Sequence, residues 1–183
     1  RQILNHVSVS LDSSDRLGLA APSGFGKTTF CKILAGYEQP DEGQVLLDGK
    51  PLSEYKGYCP VQLIWQHPQE AVNPRRRMKT VLEEGGVLDE RLIRGLGIEK
   101  EWMERYPGEL SGGELQRFCI ARALGEKTSF LLADEITAML DLITQSQIWN
   151  FLLEEVRSRE IGLLVVSHSE PLLQRICTGR IQL

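Results

Sequence analysis

Cysteine is scarce and unpaired in this sequence: Cys31, Cys59, Cys119 and Cys177 stand alone, with no CxxC. That spacing argues against a disulfide framework or a zinc site and suits a reducing compartment. Long apolar runs are also missing. None reaches the roughly 18 residues that cross a bilayer, and no signal peptide is visible. A basic excess is absent, since 21 Lys and Arg face 25 Asp and Glu for a formal charge of −4. This gives no electrostatic case for nucleic acid, which favours a basic face. The run Arg75-Arg76-Arg77, with Lys79 beyond it, is the local exception, and short charge runs of this kind are ordinarily solvated loops. No internal repeat or low-complexity tract stands out.

What remains is an ordinary globular composition, 42% hydrophobic and 25% charged over 183 residues. That length suits one domain, or one domain with a sub-lobe, and buries a core without staples. The chain opens at Arg1, close to a strand-like segment, and closes on "GRIQL", an alternation that looks unfinished. We expect a domain trimmed at both ends.

Along the chain, "HVSVSL" alternates as a half-buried strand does, and "RLGLA" is a short buried-strand candidate leading into a loop. "KTTFCKILAG" reads as a helix closed by Gly36, and "DEGQVLLDGKPL" as a hairpin. "YCPVQLIWQ", "SFLLADE" and "IGLLVVSH" are strand candidates, with a long helical pattern from Leu142 to Arg159 between the last two. Residues 77–106 turn helical and polar, broken by Gly85-Gly86, Gly95 and Gly97. Strands alternating with helices predict an α/β fold whose largely parallel sheet has helices on both faces. The helical stretch interrupts that alternation and is expected to form a separate lobe. "LSGGELQRFCIARAL" predicts a Ser-Gly-Gly turn opening an amphipathic helix at an exposed start.

"APSGFGKTT", residues 21–29, follows a strand candidate and opens a helix. It fits G-x-x-x-x-G-K-[ST] except that Ala21 replaces the first glycine, which is tolerable where φ is negative. The chemistry needs a loop whose N–H groups approach phosphate oxygens closely. Gly24 and Gly26 supply that freedom, and the helix start adds a favourable dipole. Lys27 reaches β- and γ-phosphates in such loops, and the Thr28 hydroxyl ligates Mg²⁺. Alone, the motif implies only a nucleoside triphosphate.

"SFLLADE" ends in two acids at the edge where parallel sheets bind ligands. Asp134 is the candidate to hold Mg²⁺ opposite Thr28, and Glu135 to polarise the attacking water as a general base. "LLVVSH" ends in His168, whose neutral imidazole can donate to the γ-phosphate or hold the water. His6 and His67 read as structural. Gln66, ending "VQLIWQ", can touch both metal and water, although a glutamine at a strand end is weak evidence by itself.

In this order the segments resemble the ATP-binding subunit of ABC transporters. Its Walker A motif matches residues 21–28, its Q-loop Gln66, its signature "LSGGELQR", its Walker B motif "FLLADE", its D-loop "AMLD" and its switch histidine His168. "QPDEGQVLLDG" also looks like the family's hairpin region. The resemblance implies a P-loop NTPase core over residues 1–66 and 111–183. An N-terminal antiparallel β portion and a small helical subdomain over about 67–110 complete the single domain. It implies ATP and Mg²⁺ as ligands, with Ser23, Gly24, Phe25, Gly26, Lys27, Thr28 and Thr29 around the phosphates. Thr28, Gln66 and Asp134 would hold the metal, and Glu135, His168 and Gln66 the reaction. Two subunits sit head to tail in the family, so Ser111, Gly112, Gly113 and Glu114 would face nucleotide held by the other chain, with Asp141 connecting the sites. The partners implied are that second ATPase subunit, as homo- or heterodimer, transmembrane permease subunits and, indirectly, an extracytoplasmic solute-binding protein. The implied location is peripheral, on the cytoplasmic face of the membrane.

"QHPQEAVNPRRRM" is similar to the Q-x-P…N-P-R pattern of importers that carry oligopeptides, dipeptides or nickel. That places Arg75–Arg77 near the membrane subunits, as the alternative to a solvated loop. With Ala21, three further departures from the family pattern leave room for a slow enzyme. The adenine-stacking aromatic falls before Arg1, Ile136 stands where proline is usual, and Ala138-Met139 replace Ser-Ala. The competing reading is a soluble ABC ATPase acting on nucleic acid or ribosomes.

Overall fold

The apolar runs form the middle of the molecule. In the computed structural model, residues 3–20, 22, 24–86 and 89–182 are described. A five-stranded sheet has the order β4-β5-β6-β1-β7, from β1 (Arg16–Leu19), β4 (Val61–Ile64), β5 (Phe130–Asp134), β6 (Gly162–Val166) and β7 (Gly179–Ile181). Every pairing in it is parallel. β6 is buried at every position, as expected of a strand covered on both faces. A two-stranded antiparallel hairpin, β2 (Leu46–Leu47) and β3 (Lys50–Pro51), turns through Asp48 and Gly49, both at positive φ.

The register sets the chemistry. Asp134 pairs with Val166, and Val166 with Leu19. The carboxyl ends of β5, β6 and β1 therefore finish level, and the residues that follow them emerge along one edge.

Helices cover the two faces: α1 (Lys27–Leu34), α2 (Met78–Glu84), α3 (Glu90–Gly95), α4 (Gly112–Ala123), α5 (Leu142–Ser158) and α6 (Glu170–Ile176). One core cluster joins α2–α6 to the sheet through Met78, Leu82, Phe118, Ile120, Leu131 and Leu152. The other packs α1 and the hairpin on the opposite face through Phe30, Cys31, Leu47 and Leu164. The cysteines are free thiols.

Two expectations need correction. "HVSVSL" forms no strand. Val7 and Leu11 still pack against the second core cluster, so the alternation marks an inward face without a ladder partner. α4 is not amphipathic in the surface sense, because Leu115, Gln116, Phe118, Cys119, Ile120, Ala121 and Ala123 are all buried. Other elements surround it, and burial all round erases a one-sided stripe.

α3 is fastened to α5 by residues one turn apart on each helix. Arg91 donates to both Glu155 oxygens, at 2.5 and 2.9 Å, and a Cβ at Gly95 would lie 2.0 Å from the Phe151 ring. The ion pair is lopsided, since the side chain of Arg91 is 57% exposed and that of Glu155 fully buried. Removing the arginine strands a buried carboxylate, which typically costs about 3–5 kcal/mol. Removing the acid leaves a cation that water can reach. Urea unfolding should therefore show Arg91→Ala losing about 3 kcal/mol or more, and clearly more than Glu155→Gln. Equal losses would contradict this asymmetry.

Candidate nucleotide site at the sheet edge

β1 runs directly into the phosphate-loop sequence. Of that loop, Ala21 and Ser23 lie outside the described residues. Gly24 and Gly26 have φ of 82° and 81°, the left-handed region that glycine reaches without strain. A Cβ at Gly26 would stand 2.6 Å from Ile3 Cγ2, so space as well as φ demands glycine there, whereas a Cβ at Gly24 would meet nothing within 4 Å. Gly26 is also the N-cap of α1 and brings no side-chain cap. The first-turn N–H groups of the helix, including those of Thr28 and Thr29, thus lack a capping side chain, the condition under which a helix start takes an anion. Lys27 is 8% exposed and its Nζ donates to the Pro22 carbonyl at 3.0 Å, across the mouth of the loop. Phe25 projects outward, 56% exposed.

Thr28 Oγ1 donates to Asp134 Oδ2 at 2.7 Å, joining the loop to the end of β5. Asp134 is 2% exposed. Burial pushes its carboxyl above the usual range, opposed by the Thr28 hydrogen bond and then by the charges of Lys27, His168 and His67. Glu135 takes a left-handed φ of 50°, uncommon for a residue with a side chain. Its N–H donates to Val166 O and its carbonyl accepts from Ala138 N–H, so the neighbouring backbone holds the kink. Burial raises this carboxyl too, with His168 opposing and Asp134 adding to the rise. Glu135 Oε1 lies 3.4 Å from His168 Nε2, yet it is buried with no hydrogen-bond partner among the described residues. An unsatisfied buried oxygen is costly and commonly marks a place for a ligand or water.

Gln66 and His168 each sit two residues beyond their strands, not at the last strand position as the sequence suggested. Gln66 is half-buried. Gln116 of α4 donates to the Trp65 carbonyl at 3.2 Å, fixing the backbone just before it. His67, read from sequence as structural, is exposed with its charge felt at Asp134. His6 stands exposed with φ 48°.

Ser111 caps α4 in a reciprocal box: its Oγ accepts from Glu114 N–H at 3.3 Å, and Glu114 Oε2 accepts from Ser111 N–H at 2.7 Å. The cap uses a lone pair of the serine and leaves its O–H free to donate. Gly112 and Gly113 follow in the helix, outside the left-handed region. The hydrogen bonds of Ser111 and Glu114 go to each other and not to the phosphate loop. Within one chain, the Thr28–Asp134 bond and the Glu135–His168 approach join the phosphate loop to the strand ends, while Gly112 and Gly113 lie beside Gln69 and Leu140. Asp141 caps α5 by accepting from Ile143 and Thr144 N–H, both at 3.0 Å. The Thr144 hydroxyl first, and then these backbone bonds, hold its carboxyl low. Arg77 bonds the Glu104 carbonyl and carboxylate, whereas Arg75 and Arg76 are exposed.

ATP with Mg²⁺ fits these groups. Thr28 and Asp134 offer hard oxygen donors side by side, as Mg²⁺ requires. The phosphate loop is open at Gly24, and Glu135 keeps an oxygen in reserve. Both buried acids would gain from a cation beside them.

The comparisons agree with that chemistry. A family model described as ABC transporter matches residues 4–138. The nickel import ATP-binding protein NikE of Rhodospirillum rubrum is 33% identical, with 97% of this chain and 70% of that protein covered. NikE of Escherichia coli strain K12 is 29% identical, covering 96% and 72%. Among solved structures, the ATP-binding cassette MJ0796, dimeric and bound to ADP and Pi in a post-hydrolysis state, superposes with TM-score 0.86 at 23% identity, covering 99% of this chain and 86% of that one. An ABC transporter ATP-binding subunit superposes with TM-score 0.84 at 20% identity, covering 99% and 79%; at these identities the structures speak to the fold. With the phosphate loop, the signature helix and the acid pair all inside the matched span, this chain belongs to the ABC transporter family, as an ATP-binding and ATP-hydrolysing member.

Proposed function

We propose that the chain powers an importer, hydrolysing ATP at the cytoplasmic face of a membrane beside permease subunits that it does not itself contain. The named relatives are nickel import ATP-binding proteins, which supports import over the nucleic-acid alternative; with the pattern of "QHPQEAVNPRRRM", nickel or a peptide-like solute is the class to test. No described helix is long and apolar enough to cross a membrane, so the chain's place would be peripheral. Residues 67–110 are taken as a helical subdomain against the core of 1–66 and 111–183, with exposed Arg75 and Arg76 facing the permease. An extracytoplasmic solute-binding protein would act only indirectly.

The observation that carries this reading is the junction of Thr28 Oγ1 with Asp134 Oδ2 at 2.7 Å, beside the unsatisfied Glu135 Oε1. Ser23 to Thr29 would cradle the phosphates through backbone N–H groups and Lys27. Thr28, Asp134 and Gln66 would hold Mg²⁺, which when bound supplies Lewis-acid polarisation and charge neutralisation. Glu135 would take the proton of a water at its free oxygen. Burial lifts its carboxyl toward working pH, where a general base is most effective, and His168 would orient the same water. Ser111, with its spare O–H, and the start of α4 would close over nucleotide held by a second ATPase subunit, and Asp141 would sit between the two sites.

Glu135→Gln should keep ATP binding while phosphate release falls at least about 100-fold. Unchanged release would reject Glu135 as the base. Ser111→Arg should leave nucleotide binding to the single chain intact and abolish ATP-dependent dimerisation in sedimentation velocity; dimerisation at parental levels would remove the signature from the site. A third outcome concerns pH. A carboxyl whose folded pKa is raised contributes its stability below the unfolded pKa and loses it as pH rises through the folded one. At neutral pH the metal-free chain therefore carries a penalty at Asp134. Without Mg²⁺, Asp134→Asn should melt above the parent at pH 7, and the gap should narrow as acid protonates the parent's carboxyl. A variant melting at or below the parent at pH 7 would contradict this.

A further inference from the structure

We propose that Leu140 is a positioning residue, its side chain seated in the notch left by Gly113, so that the turn after Glu135 sets where Ser111 stands. The inference rests on the hydrolysis reading above and extends it to a contact that carries motion or position within one chain.

A Cβ built on Gly113 would fall 2.8 Å from Leu140 Cδ2, too close for the leucine to stay where it is. One at Gly112 would meet only Gln69 Nε2, at 3.9 Å, an ordinary contact. The two glycines of the Ser-Gly-Gly start thus face different constraints. Gly113 lies in helix α4 without a left-handed φ, so alanine suits its backbone, and within helices alanine is favoured over glycine by up to about 1 kcal/mol. Inside this chain, a side chain at 113 meets the tip of Leu140 and must displace it.

The seat is held firmly from behind. Gln145 Nε2 donates to the Thr137 and Leu140 carbonyls, at 2.8 and 3.1 Å. Trp149 Nε1 donates to Thr137 Oγ1 at 3.0 Å, and both of those side chains are buried. Ala138 N–H donates to Glu135 O, and Leu140 N–H to Thr137 O. A continuous set of bonds therefore leads from the kinked backbone of Glu135 through residues 137–140 to Leu140, which packs on the main core cluster and touches α4 two residues from Ser111. A shift of the Glu135 turn would push or release the start of α4, the surface proposed to close over a second chain's nucleotide. The bonds that fix the backbone of residues 137–140 would carry such a shift to the contact, which the leucine tip then passes to α4.

The test is a double-mutant cycle of Gly113→Ala and Leu140→Val, read both in ATP turnover and in urea unfolding. Gly113→Ala should lower kcat about tenfold with ATP binding to the single chain unchanged, and Leu140→Val, which shortens the side chain that clashes, should restore most of that loss. The two substitutions should be non-additive in stability as well. Parental turnover in Gly113→Ala would overturn the proposal. So would a turnover loss that Leu140→Val leaves untouched, because Gly113 would then act only through its backbone's approach to nucleotide. Coupling in stability with additive turnover would reduce the contact to packing and equally overturn it. Failure of the hydrolysis reading shows elsewhere, as parental turnover in Glu135→Gln.

Discussion

Two adjacent carboxylates at the end of a buried parallel strand are the constraint on which the molecule turns. Asp134 belongs to β5, itself flanked by β4 and β6, and burial works against ionising both acids. A chain that gained only stability from this place would put apolar groups there. Instead the surroundings supply partial relief: a hydroxyl from Thr28, the charges of Lys27, His168 and His67, and a backbone kink at Glu135 fixed by Val166. The relief stops short, leaving one oxygen unsatisfied. Such a deficit fits a site that is completed by what it binds, and stability is the quantity given up for it.

Much of this was legible in the sequence because local pattern and tertiary role coincide. Apolar runs such as "FLLAD" and "GLLVV" became parallel strands, and the residues after them reached one edge because parallel strands all finish on the same side. Gly24, Gly26 and Lys27 are tied to their loop by the backbone itself, and the Ser111–Glu114 box is a matter of four consecutive residues. What escaped depended on distant contacts. "HVSVSL" has the alternation of a strand without a neighbour to pair with. The burial of α4 on all sides needs the helices around it, and its own sequence carries no such information. The seat of Leu140 on Gly113 joins residues far apart in the chain.

The signature helix gains a second meaning from these contacts. Ser111 and Glu114 satisfy each other and leave the serine O–H free to donate, while Gln116 grips the backbone before Gln66 and Gly113 receives Leu140. α4 is thus in touch with the stretches that carry Gln66 and Glu135, although its exposed start belongs to another surface. On the proposed reading, one chain would supply a phosphate cradle, a metal seat and a base. It also supplies, separately, a helix start suited to an anion that it does not hold itself.

That separation makes a simple demand on kinetics. If the cradle of one chain and the helix start of another form a complete site, the rate of ATP hydrolysis per chain must depend on encounter. Phosphate release measured over a wide dilution series, with saturating ATP and Mg²⁺, tests this directly. The account predicts a specific activity that climbs with protein concentration and levels off as dimers form. A specific activity that stays constant down to concentrations where sedimentation shows only monomers would contradict it.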